Sequence, residues 1–102
     1  MSKAFVYTEL QISLPFAQTP WRELNAQIVE QPGFRNKTWL AGSLNQSVGG
    51  FYEFDSLANA KRVVTGYFPG ESAELNAAYT TRLFDAAPSE QASRAMGSPL
   101  YV

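Results

Sequence analysis

The stretch Gln31–Asp55, QPGFRNKTWLAGSLNQSVGGFYEFD, constrains the fold more than any other part of the chain. Gln31-Pro32-Gly33 is a helix stop, because glycine suits the left-handed position after a helical end and proline cannot continue a helix. Phe34–Leu44 reads as an extended run, Asn45-Gln46-Ser47 as a polar turn and Val48–Phe54 as a second extended run. Asp55-Ser56 then offers side-chain oxygens to the free N–H groups that open a new helix. The segment is a β-hairpin held between two helices. Alternate side chains of a strand point to opposite faces. Regular alternation therefore sets Phe34, Thr38 and Leu40 on one side and Arg35, Lys37 and Trp39 on the other.

The flanking segments complete the pattern. Ala4–Leu14 alternates as a strand that Pro15 ends, and Thr19-Pro20 reads as a cap followed by proline at the first helical position. Trp21, Leu24 and Ile28 form a helical stripe, as do Leu57, Ala60, Val64 and Tyr67 after the hairpin. Phe68-Pro69-Gly70 should close that second helix, with Glu71–Leu75 adding one further turn at most. Ala78–Phe84 is a fourth strand. Beyond it Pro88, Gly97 and Pro99 interrupt any long period, leaving room for a short helix over Ser89–Met96. The apolar Leu100-Tyr101-Val102 should pack against something, a partner chain included.

Strand, helix, strand, strand, helix, strand is the split βαβ, ferredoxin-like arrangement of the α+β class. It has a four-stranded antiparallel sheet with both helices on one face. The 102 residues are expected to form a single domain with residues 86–102 as a C-terminal extension. Parity assigns Val6, Leu10, Tyr52, Phe54, Tyr79 and Leu83 to the helix-covered face, with Phe34, Thr38 and Leu40. The opposite face collects Phe5, Tyr7, Glu9, Gln11, Arg35, Lys37, Trp39, Phe51, Glu53, Thr80, Arg82 and Phe84. That face must meet water or a second copy. Its mixture of aromatic and charged groups is the composition of an interaction or ligand site. A bulge would shift this parity by one, and Gly42, Gly49 and Gly50 are the expected places for it.

Composition removes several classes of function. With no cysteine and no histidine, thiolate nucleophiles, disulfides and the commonest base, metal ligand and haem ligand are all absent. A formal charge of −1 with scattered basic residues gives no footprint for nucleic acid or an anionic membrane. No apolar run approaches the roughly 20 residues of a membrane helix, and no signal peptide is visible. A cytoplasmic protein without a bound metal or cofactor is expected.

The run Gln31-Pro32-Gly33-Phe34, with Lys37, Trp39, Gly49-Gly50, Tyr52, Phe54, Asp55 and Arg82-Leu83-Phe84-Asp85, resembles the YdhR-like mono-oxygenase family. That family lies in the dimeric α/β-barrel superfamily. The resemblance implies a homodimer whose two sheets close face to face. It also implies cofactor-independent mono-oxygenase chemistry on a small electron-rich aromatic or phenolic substrate. The alternative is a non-catalytic dimeric module that binds a small ligand. In cofactor-free oxygenases of the superfamily a Trp and an Asn on this strand hold the substrate; here Asn36 lies three positions before Trp39, on the opposite face of a regular strand. Trp39, Lys37 and Arg82 are the candidate catalytic residues, and Tyr7, Glu9, Phe51 and Glu53 the candidate substrate-binding ones. Trp39 is either an aromatic filling an interface or a wall for a flat ring, with its indole N–H as a donor. Arg35, Lys37 and Arg82 either pair with Glu9 and Glu53, or supply a cation that holds an enolate or phenolate for electron transfer to oxygen. Without histidine or cysteine, proton transfer would fall to Glu9, Glu53, a tyrosine or Lys37.

Overall fold

A computed structural model describes residues 2–12, 15–44 and 47–101. Its strands are β1 (Ala4–Gln11), β2 (Phe34–Ala41), β3 (Ser47–Phe54) and β4 (Ala78–Asp85), antiparallel in the order β2-β3-β1-β4. This is the ferredoxin-like α+β architecture expected. Ser13, Leu14, Asn45, Gln46 and Val102, which carried parts of the expected first strand, hairpin turn and tail, lie outside the described residues.

Helix α1 (Trp21–Ile28) buries Leu24 and Ile28 against the sheet. Thr19 does not cap it: the Thr19 hydroxyl donates back to the Phe16 carbonyl (2.7 Å), and Pro20 takes the cap position. Gly33 ends the connection with φ of +77°, a conformation glycine adopts without a Cβ penalty. Its carbonyl accepts from Asp55 N (2.9 Å), tying the hairpin's entrance to its exit. Ser56 caps α2 (Leu57–Arg62) as expected, its hydroxyl oxygen accepting from Asn59 N at 3.2 Å.

The second helix does not stop at Phe68-Pro69-Gly70. It widens into a π-helical turn at Val63–Tyr67 and continues as α3 (Phe68–Glu74). The wide turn is the physical reason. Proline clashes with the carbonyl four residues back and lacks an N–H to bond it. Just ahead of Pro69, Phe68 N instead donates five residues back to Val63 O. Proline then sits in the first turn of α3, where no donor is needed.

The core lies between helices and sheet, around Val6, Ile28, Tyr52, Phe54, Val63 and Phe68. The other face is not bare. After β4 the chain forms α4 (Glu90–Ala95) and a short 3-10 turn at Pro99–Tyr101, and Tyr101 packs with Ala86 against Phe5 and Phe51. The Tyr101 hydroxyl donates to the Ala86 carbonyl (3.0 Å) and lies 2.9 Å from Ser89 Oγ. The C-terminal tyrosine thus packs on the chain's own sheet.

A bulge corrects the expected faces of β2. It falls at Arg35 rather than at a glycine: Phe34 pairs with Phe54, but Asn36 pairs with Glu53, so one residue is extra. From there parity is inverted. Lys37 stands opposite Tyr52 and Trp39 opposite Gly50, on the helix-covered face, while Thr38 and Leu40 turn to the other side. Gly49-Gly50 marks close approach instead. A Cβ on Gly49 would lie 2.3 Å from the Thr8 carbonyl oxygen of β1.

Candidate functional site

The sheet divides the seven candidate residues into two groups. Lys37 and Trp39 face the helices; Tyr7, Glu9, Phe51, Glu53 and Arg82 lie on the opposite side. No single pocket therefore gathers all seven, and the bulge at Arg35 is the cause.

On the far side the polar candidates largely satisfy one another. Tyr7 donates to Glu9 Oε2 (2.6 Å), and this bond, ahead of burial and the Glu9 charge, raises the phenol above its ordinary value. Gln11 donates to the other Glu9 oxygen at 2.9 Å. Glu53 lies 3.4 Å from both Lys3 Nζ and Arg35 Nη1; of these, Arg35–Glu53 is a pairing that the charge pattern offers. Arg82 is exposed, opposite Tyr7 in the β1–β4 register. Phe51 stacks obliquely on Phe5, with ring centroids 5.4 Å apart.

The helix side is a different kind of place. Lys37 Nζ sits 3.1 Å from the Trp39 ring centroid and 4.6 Å from that of Tyr52. Gly50 makes room for this: a Cβ there would come 2.5 Å from Lys37 Cε and 3.1 Å from Tyr52 Cε1. Trp39 is fixed from both ends. Its indole N–H donates to Asn25 Oδ1 of α1 (2.9 Å), and the Phe16 ring meets it edge-on at 5.5 Å. The indole N–H is thus committed within the fold, and what Trp39 offers a ligand is ring surface.

Burial pushes the Lys37 amine down to about 7, against the pull of the Glu71 carboxylate, which favours the ammonium. The two aromatic faces also favour the cation. Near neutral pH amine and ammonium coexist. Glu71 is itself buried on α3, at 4% exposure. Tyr67 of the π-turn is held well above its ordinary value by burial first and then by its hydrogen bond with Glu71. Its hydroxyl also lies 3.3 Å from Gln27 Oε1. The Tyr52 phenol is raised too, chiefly by burial, and its hydroxyl is the one buried side-chain polar atom without a hydrogen-bond partner among the described residues. An open groove of about 280 Å³ lies between Gln27 of α1 and Gly66, Tyr67, Gly70, Glu71 and Glu74. It reaches inward to the same Glu71 whose charge acts on Lys37.

Sequence reasoning missed Asn25, Glu71 and the pairing of Tyr52 with Lys37. Asn25 lies four residues after Trp21 and three before Ile28, which is helical spacing on the buried edge of α1. Glu71 was hidden by Pro69, because a break at Phe68-Pro69-Gly70 leaves Glu71 in a separate turn instead of on a continuous helix that buries it. Among the described residues, no three Asp or Glu side chains come together as a metal site.

Two solved oxygenases share this fold. SnoaB, a cofactor-independent oxygenase from Streptomyces nogalater solved as an asparagine-to-alanine variant, aligns with a TM-score of 0.61 at 16% identity, covering 85% of this chain and 95% of that one. A monooxygenase from the gene ActVA-Orf6 of Streptomyces coelicolor, in complex with nanaomycin D, aligns with a TM-score of 0.56 at 18% identity, covering 82% and 87%. At these identities the likeness is one of fold. No family model matches the chain, and no curated protein matches it in sequence.

Proposed function

We propose that the protein is a cofactor-independent mono-oxygenase of the YdhR-like branch, acting on a small electron-rich phenol in the layer between sheet and helices. The observation that carries this reading is the Lys37 amine, held against Trp39 and Tyr52 beside a buried carboxylate on a fold similar to two oxygenases. The neutral amine accepts the phenol proton, and the ammonium so formed holds the phenolate. The phenolate passes one electron to O2, and the resulting radical pair combines through a ring carbon to a peroxide. Loss of water leaves a quinone. One oxygen atom enters the product, the other leaves as water, and the substrate supplies both electrons. Trp39 is the ring against which a flat substrate lies, with Asn25 holding it in place.

The homodimer belongs to the same reading. Phe84 (46% exposed), beside the C-terminal turn, and Leu40 (39%), on the opposite edge strand, remain uncovered on the far face, a surface suited to a second copy. In this arrangement Arg82 and Glu9 serve the interface rather than the chemistry. A second reading, a non-catalytic module for a small apolar ligand, draws on a 240 Å³ pocket among Phe5, Phe51, Phe84, Leu100 and Tyr101.

Oxygen-electrode assays across hydroquinones and polycyclic phenols test the proposal. Oxygen uptake with quinone formation is expected, and Lys37→Met should reduce it at least about a hundredfold, the usual scale of a lost proton acceptor. Turnover unchanged by Lys37→Met would move the chemistry elsewhere. Ligand binding without any oxygen uptake would favour the non-catalytic module.

A further inference from the structure

We infer that the far face of the sheet holds a ligand site of its own, a pocket beside the C-terminal turn that takes a neutral single-ring aromatic bearing a hydroxyl group. The inference deepens the second reading above, on whose pocket it rests, and does not depend on oxygen chemistry at the helix side.

Two parts of the chain build the pocket. Its floor is aromatic, with Phe5, Phe51 and Phe84 contributed by the neighbouring strands β1, β3 and β4. The Phe51 ring lies 5.4 Å from that of Phe5, and Tyr101 stands edge-on to Phe5 at 5.7 Å as one wall. The segment after β4 supplies the other walls, through Ser93 of α4 and through Ser98 and Leu100 beyond it. Phe84, 46% exposed, is the part of the floor that the fold itself leaves uncovered, and covering it with an apolar ring is favourable. The volume is about 240 Å³. A cavity of about 150 Å³ is enough for benzene, so a ring with one or two substituents fits.

Charge and hydrogen bonding narrow the ligand further. Among the described residues, none that lines this pocket carries a charge. Lys3 Nζ lies 5.7 Å from the Phe5 centroid and 5.3 Å from that of Tyr101, but it is held by Glu53 and the Leu100 carbonyl and lines a separate polar pocket with Arg35 and Arg94. A charged ligand would therefore lose its water without gaining a partner, which favours a neutral one. The polar handle is Ser93. A serine within a helix commonly bonds the carbonyl four residues back, yet the half-buried Ser93 hydroxyl makes no hydrogen bond among the described residues. The other hydroxyls are engaged: Tyr101 donates to the Ala86 carbonyl, Ser89 Oγ lies 2.9 Å from the Tyr101 oxygen, and Ser98 Oγ accepts from Leu100 N at 3.2 Å. One free hydroxyl above an aromatic floor matches one hydroxyl on an aromatic ring.

The test titrates benzyl alcohol into the full chain and follows the backbone amides by NMR. Shifts should centre on Phe84, Ser93, Ser98 and Leu100, with a dissociation constant of about 1 mM or lower, the scale open to so small a ligand. Benzoate should bind at least about tenfold more weakly, because its charge must be desolvated. Toluene should bind about three- to tenfold more weakly, for want of one hydrogen bond. Ser93→Ala should bring benzyl alcohol down to the toluene level and leave toluene unchanged. Ser93→Leu, which fills the pocket, should abolish binding of both; if that variant does not fold, Ser93→Ala decides. Shifts centred on Lys37, Trp39 and Glu71 would overturn the inference, as would equal affinity for benzyl alcohol and benzoate. Dissociation of a dimer by benzyl alcohol would overturn it too, by showing a second copy to be the occupant. Lys37→Met should leave this binding intact, and its loss there would count against the site. Oxygen uptake without binding at Ser93 would sink this inference alone, and binding there without oxygen uptake the oxygenase reading alone.

Discussion

Lys37 makes the stability of this protein depend on pH in a way its composition does not announce. Its amine titrates near about 7 in the fold and near its ordinary 10.5 when unfolded. Between these values the unfolded chain binds more protons, so stability rises with pH across that window; below it, the full cost of a buried ammonium is present. Tyr52 and Tyr67 act with the opposite sign above about 10, where the unfolded phenols ionise and the raised folded ones do not. The melting temperature should therefore climb from pH 6 to 9 and fall beyond 10. Lys37→Met should flatten the climb and add on the order of 1 kcal/mol at pH 6, where a buried charge is most costly. A Lys37→Met curve parallel to the wild type would show that the amine is solvated. Trp39→Phe asks a narrower question. It leaves Asn25 Oδ1 without its donor, at a cost of about 1 kcal/mol. It also weakens the cation's ring contact, so Lys37 should titrate lower still. An NMR titration of the lysine Cε carbon reads that shift directly, and an upward movement would contradict the account.

At the scale of elements, one extra residue decided which side of the sheet the site occupies. Hairpin, helices and strand order were legible because apolar spacing and breakers such as Gln31-Pro32-Gly33 act locally. The bulge at Arg35 was not, since Arg35 has no special backbone preference and its contact with Glu53, 3.4 Å away on the neighbouring strand, exists only once the strands are paired. Alternation alone then set Lys37 and Trp39 on the wrong face. Pro69 misled in the same way, because the π-turn that accommodates it depends on how Val63 and Phe68 pack into the core. The glycine pair, where a bulge is expected, marks a close approach instead. Gly49→Ala should cost about 2–3 kcal/mol, as the new methyl meets the backbone of β1, which has no rotamer to give way. Gly50→Ala meets the flexible end of Lys37 first and should cost less while disturbing Lys37 more. Denaturant midpoints for the two variants check the order, and Gly50→Ala proving the more damaging would reverse it.

For the whole molecule, the C-terminal turn is part of the fold and not a loose end. Tyr101 sits edge-on to Phe5 (5.7 Å) with Lys3 Nζ 5.3 Å over its ring. Tyr101→Ala should cost about 3 kcal/mol and open the segment after Asp85 to protease while β1–β4 stay protected. Sedimentation of the wild type at micromolar concentration checks the proposed pairing of two sheets; a monomer there would leave the Phe84 surface to some other partner. The strand order carries a last consequence, for how the chain is made. β1 emerges ahead of the other three strands yet is an inner one, and its two neighbours end at Phe54 and Asp85. Hairpin β2–β3 can close as soon as it leaves the ribosome and offer β3 to one edge of β1, but the other edge of β1 stays open until β4 follows. Translation at about 5–20 residues per second makes that a wait of seconds, long compared with the roughly 1–10 μs in which a hairpin forms. During it the alternating face of Val6, Thr8 and Leu10 is exposed to any strand that passes. The edge of β1 that β4 covers is therefore the last to be paired, and the sheet is complete only once Asp85 has emerged.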